Sequence, residues 1–96
     1  MSHRYRLARQ AEADVLEIWI YIARDSISAA DRLIDQFTET YELLSSNPGI
    51  GSTQEQYRPG LRAFPVGNYI IFFEPIADGI ELYRVLHGAR NLDDLL

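Results

Sequence analysis

A chain of 96 residues, 47% hydrophobic and 24% charged, can bury one core, so a single domain over residues 1–96 is expected. It has no cysteine, which excludes disulfides and thiolate metal sites, and no apolar run approaching the ~18 residues of a membrane span. Its formal net charge of −5 argues against a direct nucleic-acid binder, whose affinity depends on cations that neutralise phosphates.

Residues 4–8, Arg4-Tyr5-Arg6-Leu7-Ala8, alternate and predict a short strand with Tyr5 and Leu7 on one face. A helix is expected over residues 10–24, with Ala11, Val15, Ile18 and Ile22 at helical spacing and Trp19 widening the stripe. The pattern breaks at Asp25-Ser26-Ile27-Ser28, and Ser28 with Asp31 resembles a capping box for a second helix. That helix should run to about Ser46 on a stripe of Ala30, Leu33, Ile34, Phe37, Tyr41 and Leu44, and end at Asn47-Pro48-Gly49. Two amphipathic helices so close together predict an antiparallel hairpin that needs an apolar sheet to cover it.

After a loop over residues 49–56, Leu61-Arg62-Ala63-Phe64 reads as a strand. Pro65-Val66-Gly67-Asn68 reads as a turn in which Gly67 takes positive φ. Tyr69-Ile70-Ile71-Phe72-Phe73 is a β-rich run ended by Glu74-Pro75, and Ala77-Asp78-Gly79 is a second turn. The last strand, residues 80–87, sets Ile80, Leu82, Arg84 and Leu86 against Glu81, Tyr83, Val85 and His87. The expected fold is α+β, in the order β-α-α-β-β-β. It should have an antiparallel meander with the helical hairpin packed on one face.

Charge is distributed unevenly. Residues 10–46 hold eight acids against Arg24 and Arg32, a local balance of −6, whereas residues 57–90 are near neutral. All nine basic side chains are arginine. Arginine forks hold carboxylates and stack on rings, which suits a protein partner, although genomic base composition gives the same bias.

The search for chemistry is short. His3 and His87 lie far apart, no HExxH motif is present, and Gly49-Ile50-Gly51 lacks the lysine of a phosphate loop. No serine sits in a nucleophile elbow. One constellation, Arg62, Arg84, His87 and Arg90, has two readings. Clustered guanidiniums and an imidazole can polarise a phosphate and move a proton, as metal-free RNA cleavage requires. Alternatively Arg84 points from the solvent side, Arg90 bonds Asp93 or Asp94, and His87 caps the strand. Trp19, Tyr21 and Tyr41 read as core or rim aromatics. The tail presents Leu92, Leu95 and Leu96 at helical spacing, either docked as a terminal helical turn or engaging a target.

Several segments in order resemble a known family. Tyr5-Arg6-Leu7, Ala13-Asp14-Val15-Leu16-Glu17-Ile18-Trp19-Ile20-Tyr21-Ile22-Ala23 and Asn47-Pro48-Gly49-Ile50-Gly51 are similar to ParE toxins of the RelE/ParE family. So are Arg58-Pro59-Gly60-Leu61-Arg62, the run from Phe64 to Phe73, and Arg84-Val85-Leu86-His87-Gly88-Ala89-Arg90. The resemblance spans nearly the whole chain and no single motif decides it.

That resemblance implies a RelE-like fold, a ParD-type antitoxin as partner, inhibition of DNA gyrase by protein–protein binding, and no cofactor. In such pairs a C-terminal antitoxin segment folds along the toxin while its N-terminal part binds operator DNA. DNA would therefore be reached only through the partner. A cytoplasmic protein is expected, since residues 1–6 lack the apolar run of a signal peptide. Candidate target contacts are Arg84, His87, Arg90, Leu92, Leu95 and Leu96; candidate antitoxin contacts are Arg58, Arg62, Trp19 and Tyr21. The ribonuclease branch often places Arg after the Tyr that opens the central strand, where this chain has Ile70. It also often carries lysines near the site and an aromatic or His in the tail; here only Arg90 fits the pattern. A ribosome-dependent mRNA endonuclease and a non-toxic interaction domain are the alternatives.

Overall fold

The computed structural model describes residues 4–90 and 92–96; the readings that touch residues 1–3, His3 among them, and Asn91 lie outside the described residues. The chain runs β1 (Arg4–Leu7), α1 (Arg9–Ala23), α2 (Ile27–Ser46), β2 (Ser52–Thr53), β3 (Arg62–Val66), β4 (Tyr69–Ile76), β5 (Gly79–His87) and α3 (Leu92–Leu95). This is an α+β fold with a five-stranded sheet in the order β1-β5-β4-β3-β2. The β3–β4–β5 meander is antiparallel as expected. In topology, two features depart from the sequence reading. β1 pairs parallel to β5, which makes the sheet mixed, and the loop before β3 contributes the two-residue strand β2.

Local sequence explains most boundaries. α2 is capped by Ser26, whose hydroxyl accepts from Ala29 N–H at 3.1 Å; the expected Ser28–Asp31 box does not form. The Asp31 carboxylate instead accepts from Trp19 Nε1 at 2.9 Å and ties α1 to α2. The β3–β4 turn narrows to Gly67-Asn68, and Gly67 at φ 56° supplies the positive φ that a type II′ turn needs at its first central position. Pro65 and Pro75 lie inside β3 and β4 and do not end them. Each sits where its strand lacks its outer neighbour: β2 covers only Ala63 and Arg62, and β3 reaches only to Phe73. A missing N–H costs least on such edges.

The two sheet faces carry separate cores. Ala11 of α1 and Phe37, Tyr41 and Leu44 of α2 pack on Ile71, Phe73, Ile80, Leu82 and Val85. Across the sheet, Leu61, Ala63, Phe72 and Leu86 form a second cluster, with Leu92, Leu95 and Leu96 of the tail against it. Large side chains buried this completely contribute ~1.5–3 kcal/mol each, so both faces matter to stability.

The expected alternation of β5 holds only as far as Leu82. A bulge pairs Phe73 with Leu82 but Phe72 with Arg84, leaving Tyr83 as an extra residue. Beyond it the phase inverts: Val85 joins Ile80 and Leu82 in the helix-side core, and Leu86 turns to the other face.

Candidate functional site

β1 covers β5 only through Leu82, and beyond that point the outer edge of β5 faces α1. The ladder's last contact is Ala8 N–H donating to Leu82 C=O, after which the chain enters α1. One turn into the helix, the Asp14 carboxylate meets this edge. It accepts from Arg84 Nε at 2.8 Å and Nη2 at 2.9 Å, a bidentate pair, and from the Val85 backbone N–H at 3.0 Å. The Asp14 and Arg84 side chains are 5% and 13% exposed. Arg84 Nη1 also donates to the Leu95 carbonyl at 2.8 Å, which pins the tail. Hydrogen bonds to Asp14 raise the Arg84 pKa further above its ordinary value, so this cation is permanent.

Past this network, α1 and the end of β5 diverge around an open cleft of about 730 Å³. Ile18, Ile20, Tyr21, Glu17 and Arg24 form its α1 wall; Asn68, Tyr69, Val85, Leu86, His87 and Arg90 form the sheet side. Ile20 and Tyr21 are 45% and 69% exposed, and Leu16 on the same helix is exposed too. The Tyr69 ring stands edge-on to Phe37 and to His87, and burial raises its hydroxyl pKa, keeping it protonated. His87 Nδ1 accepts from Ala89 N–H at 3.1 Å, which fixes the tautomer of the neutral ring with the proton on Nε2. Among the described residues, neither Arg24 nor Arg90 lies within ion-pairing distance of a carboxylate. The cleft thus has an apolar wall, a polypeptide edge and a cationic end.

The structure redistributes the residues that the sequence grouped. Arg84 is a correction: it serves neither as a surface contact nor from the solvent side, because the bulge swings it to the strand edge where Asp14 takes it up. Arg62 donates to the carbonyls of Gly49, Ile50 and Gly51 and closes the loop before β2. Arg58 pairs with Glu74 at 2.6 Å and lies over the Tyr83 ring. The proposed phosphate-handling quartet therefore does not converge; only His87 and Arg90 share the cleft. Tyr21 lines it as well, whereas Trp19 holds the helical hairpin together. The tail leucines pack against the second cluster, and the pKa of the Tyr57 hydroxyl is raised by its hydrogen bond to Asp93 beside them. Among the described residues no group of three His, Cys, Asp or Glu could hold a metal ion, and no helix is long and apolar enough to cross a membrane.

Asp14, Glu17, Ile20, Arg24, Asn68 and Tyr69 were not singled out from sequence as site residues. Asp14 had no detectable signal, being one of eight acids in an acidic half. Ile20 had one: with Leu16 and Tyr21 it makes α1 apolar beyond the stripe needed to cover the sheet.

Comparison with known proteins agrees with this architecture. Residues 5–92 match the family model described as ParE toxin of type II toxin-antitoxin system, parDE. The chain is 33% identical over 88 residues to Toxin ParE1 of Caulobacter vibrioides, covering 91% of each. It is 30% identical over 95 residues to Toxin ParE1 of Mycobacterium tuberculosis, covering 97% of each. A solved structure titled as the chromosomal ParDE TA system from P. aeruginosa superposes with a TM-score of 0.72 at 23% identity, over 91% of this chain and 95% of that one, a likeness of fold. The chain belongs to the ParE toxin family of type II toxin–antitoxin systems.

Proposed function

We propose that this toxin acts in the cytoplasm by binding DNA gyrase as a non-catalytic protein inhibitor, and that a ParD-like antitoxin neutralises it by filling the α1–β5 cleft. The cleft itself carries the reading: a ParE-family chain leaves Ile20 and Tyr21 in water beside an uncovered strand edge, which is what an amphipathic partner segment would cover. Such a segment orders on binding and gives an interface large for its length. Tyr21 is retained among the antitoxin contacts; Arg58 and Arg62 are set aside because Glu74 and the loop carbonyls engage them. DNA contacts fall to the antitoxin, in keeping with the acidic helices.

The target surface is proposed at the tail, where Leu92, Leu95 and Leu96 remain partly exposed although docked on the second cluster, and at His87 and Arg90, which lead into it. An antitoxin seated in the cleft would then cover His87 and Arg90 and hide part of the toxic surface. The purified protein should inhibit gyrase supercoiling or accumulate cleaved DNA–gyrase complex, and an equimolar antitoxin encoded by the adjacent gene should relieve both. Tyr21→Glu should reduce that relief and leave inhibition intact. Ribosome-dependent mRNA cleavage abolished by Arg90→Ala would replace this proposal with the endonuclease alternative, and a product harmless on overexpression would replace it with the plain interaction domain.

A further inference from the structure

We infer that the uncovered edge of β5 receives the antitoxin segment as a short added strand, running parallel to β5, with an acidic group at its C-terminal end set against Arg24 and Arg90. The inference rests on the antitoxin reading above and adds the mode and direction of binding.

Hydrogen bonding along the edge decides the direction. In a β-ladder the N–H and C=O of one residue point to the same side, and residues two apart share that side. Val85 N–H points outward to Asp14, so Val85 C=O also faces outward, as do the N–H and C=O of His87. Gly88 N–H, in the opposite phase, points inward to Asn68 C=O, which confirms the alternation. Two of the four outward groups already have partners: Val85 N–H is held by Asp14, and His87 C=O accepts from Arg90 N–H at 3.1 Å. Among the described residues, the groups left without partners are Val85 C=O and His87 N–H, on the wall of the cleft.

An antiparallel neighbour would exchange both bonds with one residue, using N–H and C=O of Val85 or of His87. Each of those pairs is half occupied. A parallel neighbour instead places one residue opposite Leu86, donating to Val85 C=O and accepting from His87 N–H. Both free groups are then satisfied by a single residue. The lane is the one β1 occupies farther back, where it pairs with β5 in the same parallel sense. A second copy of the chain pairing edge to edge about a twofold axis would be antiparallel, so this arrangement disfavours it.

Direction fixes the chemistry of the far end. A segment parallel to β5 leaves the edge beyond His87, where Arg24 and Arg90 line the cleft without carboxylate partners among the described residues. Glu17 also lines the cleft, and Asp14 is neutralised by Arg84. An acidic side chain or a terminal carboxylate following the paired residue meets this end, and Ile20 and Tyr21 cover the apolar side chain before it.

Amide hydrogen exchange by NMR tests the proposal on the unmodified toxin, free and in complex with the full-length antitoxin encoded beside it. His87 N–H should exchange at least ~100-fold more slowly in the complex, with Val85 N–H already protected in the free chain. The double variant Arg24→Glu, Arg90→Glu should bind ~10–100-fold more weakly, with a larger loss at low than at high salt. A tight complex in which His87 N–H exchanges as in the free toxin overturns the added strand and leaves the antitoxin reading standing. Antiparallel cross-strand NOEs overturn the direction, and unchanged affinity of the double variant overturns the acidic end. Protection of His87 in the free toxin that grows with concentration assigns the edge to a second copy and overturns the proposal. Absence of any complex overturns the antitoxin reading, and this one with it.

Discussion

Removing the Asp14 carboxylate should cost more than any other single change on the surface of α1. Asp14→Ala deletes acceptors for three hydrogen bonds, two from Arg84 at 2.8 and 2.9 Å and one from Val85 N–H at 3.0 Å. What remains is a guanidinium 13% exposed with only the Leu95 carbonyl to accept from it, beside the unpaired N–H of a buried residue. Breaking a buried ion pair by removing one partner costs ~3–5 kcal/mol, and that figure already contains much of the ~1–3 kcal/mol for an orphaned donor. The two are therefore not summed. A chain of 96 residues is stable by roughly 5–14 kcal/mol at ~0.05–0.15 kcal/mol per residue, so the loss is a third or more of the total in most of that range.

Urea denaturation followed by far-UV circular dichroism reads this directly. With a slope near ~1 kcal/mol per molar, the midpoint should fall by about 3 M or more. Asp14→Asn keeps an oxygen for Val85 N–H and loses the charge, so it should fall between wild type and alanine. The double variant Asp14→Ala, Arg84→Met removes both charges and should recover at least ~1.5 kcal/mol relative to the sum of the single changes. A single loss below ~1 kcal/mol, or strict additivity, would refute the view that this pair is a desolvated unit.

Three further perturbations probe the rest of the fold. Deleting residues 92–96 removes Leu92, Leu95 and Leu96 from the second cluster and the carbonyl held by Arg84, and should destabilise by ~2–4 kcal/mol; a truncation that melts like the full chain refutes the docked tail. Tyr41 is buried with its hydroxyl unpaired among the described residues, and burial followed by the nearby Tyr5 raises its pKa. Because the unfolded chain ionises first, its contribution is complete below pH ~10 and is lost as pH rises toward the folded-state value, so Tyr41→Phe should flatten the alkaline fall in stability and leave stability at pH 7 equal or up to ~1 kcal/mol higher. A Cβ at Gly79 would overlap the Arg4 carbonyl where β1 pairs with β5, so Gly79→Ala should cost ~1–3 kcal/mol and speed amide exchange in β1, and unchanged exchange there would refute the close approach.

Most of the framework was legible because local rules and burial agreed. The apolar stripes of α1 and α2, the β-rich run from Tyr69 and the glycine of the β3–β4 turn each announce one element. What stayed hidden was long-range. Nothing in Arg4-Tyr5-Arg6-Leu7 states whether the strand pairs parallel or antiparallel, since direction depends on where two helices return the chain. Ser28 with Asp31 satisfied the capping pattern, yet Ser26 starts the helix two residues earlier and Asp31 serves Trp19. The site suffered most. Alternation placed Arg84 by counting from Ile80, and one extra residue at Tyr83 invalidates every assignment after it.

That extra residue also explains why the stabilising network and the cleft occur on one strand. With strict alternation Leu82, Arg84 and Leu86 would share a face, and α1 would have to cover a guanidinium in the core. The bulge lets Leu82 and Val85 both reach the helix-side core, and Leu86 is released to the second cluster that receives the tail. Arg84 emerges at the edge, within reach of a helix on one side and the tail carbonyl on the other. The same phase change points the N–H of Val85 and His87 away from β4. Asp14 holds the first and the second borders the cleft, so one outward donor of β5 holds the fold while the next is left at the cleft wall.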